Sequence, residues 1–105
     1  MHSSILQRIT TEIEQYPDIE IQESNNMLYI FSTQSKHHDI QIDYRESIHS
    51  IWISSLQYGA YQFYLNKGQW INNKNENLNI ILSNILQQEI KNFNRDKFIH
   101  KLQLL

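Results

Sequence analysis

Apolar residues recur along this chain with two different periods, and each change of period marks a change of element. Over residues 3–16 they fall at Ile5, Leu6, Ile9 and Ile13, the one-sided stripe of an amphipathic helix, with Ser3 or Ser4 as N-cap and Pro17 as the stop. The period then drops to two. Ile19 and Ile21, Leu28 and Ile30, Ile40 and Ile42, Ile51 and Ile53, and Phe63 and Leu65 are each separated by one residue that points the other way, which predicts five strands. Turn residues divide them at Ser24-Asn25-Asn26, at residues 34–37 and 56–59, and at Asn66-Lys67-Gly68, and the run GQWIN that follows predicts a short sixth strand. The helical period returns over residues 77–93, where Leu78, Ile81, Leu82, Ile85, Leu86 and Ile90 share a face. Glu76 stands near its N-terminus, where the macrodipole favours a carboxylate.

Strands joined by such short connections must be antiparallel, because a parallel crossover takes about a dozen residues or more. The expected fold is therefore α+β, a two-layer α/β sandwich in a single domain over residues 1–105, with two helices on one face of an antiparallel sheet of about six strands. The remaining tail carries Phe98, Ile99, Leu102, Leu104 and Leu105. It is too apolar to stand in water and is expected in the groove between the two helices.

Covering one sheet face leaves the other open, and the open face collects the other half of every alternation: Tyr29 and Phe31, Gln41 and Asp43, Trp52 and Ser54, Gln62 and Tyr64. Cross-strand aromatic pairs stabilise a solvated sheet face by about a few tenths of a kcal/mol each, which is one reading of Tyr29, Phe31 and Tyr64, a contact surface being the other. Trp52 is different, because an exposed tryptophan buries a large area with little entropy to lose and is a typical interface anchor.

Composition narrows the chemistry. The chain has no cysteine, which excludes a disulfide framework, a thiolate nucleophile and cysteine-ligated zinc or iron–sulfur clusters. Any metal must be held by oxygen or imidazole. A net charge of −2 with scattered Lys and Arg provides no electrostatic footprint for nucleic acid or an anionic membrane. No apolar run approaches the roughly 20 residues of a membrane span, and the N-terminus has no signal or transit pattern, so a soluble, non-secreted protein is expected. Two glycines cannot build a phosphate loop of the usual form. His37-His38-Asp39 lies in a predicted turn where side chains diverge, and His49 reads as a polar edge residue. Ser54-Ser55 has no histidine and aspartate placed by a motif, and Trp70 reads as half-buried packing.

The stretch IHSIWISS followed by GAYQFYLNKGQWIN resembles the signature region of the frataxin family, with its tryptophan inside an apolar strand, then Gly, an aromatic strand and a short strand bearing a second tryptophan. IDYRESIHSIW, His49 included, is similar to the strand-loop-strand of bacterial frataxins, and DIEIQESNNMLYI to their first hairpin. The resemblance covers nearly the whole chain, from Ser3 to Phe93. It departs from the family at Asp43 and Arg45, where Asn and Gln are usual, at Ser50 for Gln, at Ala60 for Pro, and at Gln62, where Arg is frequent.

The resemblance implies a role in iron–sulfur cluster assembly, exercised on a complex of a cysteine desulfurase with its scaffold protein, with weak binding of iron as Fe2+ or Fe3+. A non-enzymatic regulator or iron chaperone is expected, although ferroxidase activity has been ascribed to some relatives. The open face meets the scaffold, which marks Trp52, Asp43, Arg45, Gln62 and Tyr64 as partner-binding residues. An acidic ridge on the first helix and first strand carries over to Glu12, Glu14, Asp18 and Glu20. Spaced carboxylates supply charge to an oxygen-seeking cation without a buried cage, but Glu12 and Glu14 diverge on a helix, so each must pair with the strand carboxylates. The alternatives are that these acids only solubilise the surface, and that the chain is a protein-binding module using the Trp52 face without iron. A monomer is expected, in a bacterial cytoplasm, a mitochondrial matrix or a mitochondrion-derived organelle.

Overall fold

The computed structural model describes residues 4–32 and 39–103. The chain runs through α1 (Ser4–Ile13), β1 (Ile19–Ser24), β2 (Met27–Ser32), β3 (Ile40–Arg45), a 3-10 turn (Glu46–Ile48), β4 (Ser50–Ser55), β5 (Gly59–Asn66), β6 (Gln69–Ile71), α2 (Leu78–Glu89) and α3 (Arg95–Gln103). The strands form one six-stranded antiparallel sheet in sequence order. Two-residue hairpins need backbone that turns left-handed, and at the β5–β6 turn both Lys67 and Gly68 have positive φ, 52° and 79°, as a type I′ turn requires.

Register aligns the inward side chains into rows. Leu28 faces Ile42, Ile42 faces Ile53, Ile30 faces Ile40, and Ile51 faces Phe63. All are sealed from water against Ile5, Leu6, Ile9 and Ile13 of α1 and Leu78, Leu82, Ile85 and Leu86 of α2, with Ile90 just beyond. Both expected helices are present and shorter than the expected ranges of residues 3–16 and 77–93. After Ile13 the amides of Tyr16 and Ile19 close turns onto Ile13 and Tyr16 carbonyls, with Pro17 between them, and α2 ends where Ile90 adopts an extended conformation.

A third helix joins these two. The tail expected between α1 and α2 folds as α3, which packs against both. Asn94 caps it, its Oδ1 accepting the Lys97 amide at 3.0 Å, and Phe98 and Leu102, one helical turn apart, enter the core. An aromatic chain from Tyr16 through Phe93 to Phe98, with centroids 5.5 and 5.3 Å apart, fastens its start to the end of α1. Leu65, expected on the covered face, lies there by register opposite Trp70 but remains 47% exposed. Trp70 is half-buried on the covered side, edge-on to Tyr44 at 5.9 Å. Ser3, His2, the His37-His38 pair and Leu104-Leu105 lie outside the described residues. Among the described residues no helix is long and apolar enough to cross a membrane.

The β4–β5 loop is tied to the helical layer by Tyr58, whose hydroxyl donates to the Glu89 carboxylate at the end of α2. Burial first, and then the bond to Glu89, push the Tyr58 hydroxyl from 10.0 up to about 12. The fold therefore favours the neutral phenol, whose contribution to stability is complete below about pH 10 and is lost as pH rises towards 12. Unfolding followed across this window should show the wild type losing its advantage over Tyr58→Phe; a gap that stays constant from pH 9 to 12 would contradict the link. In the core, Phe98→Ala should destabilise the protein by about 3–5 kcal/mol in chemical denaturation, whereas Leu56→Ala at the fully exposed loop tip should leave it unchanged.

Candidate functional site

The same register that buries the isoleucines sets three rows on the open face. Tyr29, Gln41, Ser54 and Ala60 form one, Met27, Asp43, Trp52 and Gln62 the next, and Arg45, Ser50, Tyr64 and Ile71 the third. Trp52 occupies the middle of the middle row. It is half-buried rather than fully exposed, and its Nε1 is shielded from water with no acceptor; Ser50 Oγ beside it is buried in the same condition. A buried donor left without a partner costs about 1–3 kcal/mol, so this part of the surface holds hydrogen-bonding capacity that the free protein does not use.

Two features frame the indole. On the β3 side the Arg45 guanidinium carbon lies 5.7 Å from the ring centroid, and Arg45 Nε donates to Asp43 Oδ2 at 3.2 Å. The family resemblance leads one to look for an arginine at position 62; here that position is Gln62, directly opposite Trp52, and the cation comes from the other neighbouring strand. On the β5 side is a cavity of about 390 Å³ lined by Trp52, Gln62 and Tyr64 from the sheet and by Asn72, Asn73, Lys74 and Glu76 from the β6–α2 loop. That loop is a structured wall. Asn72 Oδ1 accepts the amides of Lys74 and Glu76 at 3.0 and 2.9 Å, and its Nδ2 donates to Glu76 Oε1 at 2.9 Å. The sequence signal for it was the asparagine cluster itself, since an asparagine side chain can bond the backbone two residues on and stand in for a turn.

Further along the face, the Tyr29 hydroxyl donates to Asp39 Oδ2 at 3.0 Å, and that bond to a carboxylate holds the Tyr29 hydroxyl above its ordinary range. A second cavity, of about 440 Å³, lies at one end of the sandwich between Ile5, Trp70, Leu78 and Leu102, away from Trp52.

The four ridge carboxylates are spread over three settings. Glu12 sits on α1 beside the core stripe and is only 9% exposed, while Glu14, just past the end of the helix, is exposed. Asp18 is half-buried in the turn before β1, and Glu20 is exposed on β1 opposite Phe31, on the open side of the sheet. Among the described residues no three acidic or histidine side chains gather closely enough to hold a metal ion.

Fold and face define a small single-sheet sandwich with one side covered by helices and the other open around a tryptophan. Residues 1–92 match the Frataxin-like domain, and the chain belongs to that family. Among solved structures it is similar to a frataxin of the CyaY protein family from Psychromonas ingrahamii, with a TM-score of 0.68 and 20% identity over 86% of this chain and 88% of that one. It is also similar to the trimeric frataxin of the yeast Saccharomyces cerevisiae, complexed with ferrous iron, with a TM-score of 0.59 and 20% identity over 81% and 74% of the two chains. No curated protein sequence matches it closely.

Proposed function

We propose that this frataxin-like protein is an iron-binding accessory and regulator of iron–sulfur cluster assembly that acts, as a monomer, on a cysteine desulfurase–scaffold complex in a bacterial cytoplasm, a mitochondrial matrix or a mitochondrion-derived organelle. The observation that carries the reading is Trp52, half-buried at the centre of an otherwise polar and aromatic open face with a cavity on one flank. Such a residue anchors a partner because it contributes apolar area without losing many rotamers on binding. Asp43, Arg45, Gln62 and Tyr64 surround it and form the rest of the contact. The helical layer holds the sheet rigid so that the face is already in its binding shape.

Iron is the second half of the reading. Glu14, Asp18 and Glu20 lie around the α1–β1 turn and the edge strand, with Glu12 on the helix before them, and offer oxygen ligands to a hard cation singly or in pairs, as weak surface positions and not as one gathered site. The dispersal of these four groups favours a second reading as well, a binding module that uses the Trp52 face and handles no iron.

Two measurements separate these readings. Trp52→Ala should weaken binding to the desulfurase–scaffold complex of the same source by on the order of 2 kcal/mol, or thirtyfold; a wild type that fails to bind that complex removes the assembly role. In anaerobic ferrous titration, the double change Asp18→Asn and Glu20→Gln should abolish most of the bound iron. If the wild type takes up no iron that depends on those two residues, the module reading replaces the iron-binding one.

A further inference from the structure

Arg45 and Asp43 leave β3 on the same face, two residues apart, and meet at 3.2 Å through Arg45 Nε. That bond engages one of the five donors of the guanidinium. The Arg45 side chain is 57% exposed and that of Asp43 26%, and among the described residues the arginine's terminal amino groups have no partner. A guanidinium within about 6 Å of an indole centroid is attracted to the ring face, and at 5.7 Å Arg45 meets that condition. A long, half-exposed side chain is thus restrained twice, by a carboxylate behind it and an aromatic ring beneath it, while most of its donors are unused.

We infer that Arg45 is the docking point for a carboxylate of the partner protein received on the Trp52 face, with Trp52 as the apolar anchor beside it and Asp43 as a positioning residue. This rests on the partner-binding reading of that face and specifies the chemistry the partner must present. A carboxylate is the planar, two-oxygen acceptor that fits the guanidinium fork with two parallel bonds. The restraint from Asp43 and Trp52 reduces the side-chain freedom lost when that contact forms. A phosphate polymer fits poorly, because Glu20, Asp39, Asp43 and Glu76 border the same face and the chain is net negative, so an extended polyanion meets repulsion along its length, whereas one carboxylate meets less of it and is offset by direct contact with Arg45. A basic partner fits poorly too, since Asp43 is the more buried of the pair and one of its oxygens is already occupied.

The test compares the wild type with Arg45→Gln, Arg45→Lys and Arg45→Glu for binding to the purified desulfurase–scaffold complex, at low and at physiological salt. Arg45→Gln should weaken binding about tenfold or more and reduce its dependence on salt; Arg45→Lys, which keeps the charge and loses the fork, should fall between; Arg45→Glu should bind most weakly. Thermal unfolding of each variant confirms that the exposed substitution leaves the fold intact. Binding by Arg45→Gln equal to the wild type, while Trp52→Ala binding is lost, overturns the inference and spares the proposed function. Tighter binding by Arg45→Glu overturns it by showing a basic partner. A wild type that does not bind removes the proposed function and this inference together.

Discussion

Leu28, Ile30, Ile40, Ile42, Ile51, Ile53 and Phe63 lose nearly all contact with water on one side of the sheet, and because side chains alternate along a strand, whatever fills the intervening positions is committed to the other side. Each buried side chain of this size contributes about 1.5–3 kcal/mol, so a slip of one residue in any central strand would forfeit several such contributions at once. The register is therefore fixed by the core, and the orientation of Trp52 follows from its neighbours. A tryptophan between two core isoleucines has no place inside the fold.

This constraint also explains how much could be read from residues alone. The period-two isoleucines of β3 and β4 and the helical stripe of α1 place these elements without ambiguity, and with them the open face. What escaped the pattern depends on contacts between distant parts of the chain. The α3 segment reads as an apolar tail without a clear period, yet Asn94 as a cap and Phe98 and Leu102 at helical spacing make it a helix once α1 and α2 offer a groove. Leu65 alternates correctly and is still exposed, since alternation specifies a face and not whether anything covers it. The resemblance assigns Glu12 to an acidic ridge, but its place beside the α1 stripe leaves it nearly buried.

The face itself was legible in outline and not in detail. Sequence identified Trp52 and the residues around it, but not that Arg45 would lie over the ring, that Ser50 would be sealed from water, or that the polar run after β6 would close on Asn72 and wall a cavity. Each of these depends on a side-chain conformation chosen in three dimensions. Together they give the sheet surface a half-buried tryptophan, a restrained cation and a recess. The carboxylates around α1 and β1 are dispersed, with Glu12 nearly buried and Asp18 half-buried, and no three of them gather among the described residues.

We propose the sheet face, and not the helical layer, as the place where this protein meets its partner. The most direct measurement is the nuclear magnetic resonance spectrum of the isotope-labelled protein as the desulfurase–scaffold complex is added. With the partner on the sheet face, the Trp52 indole N–H and the amides of Asp43, Arg45, Gln62, Tyr64 and the loop at Asn72 to Glu76 shift or broaden first. Changes concentrated on α1, α2 and α3, with the Trp52 indole signal undisturbed, would contradict it.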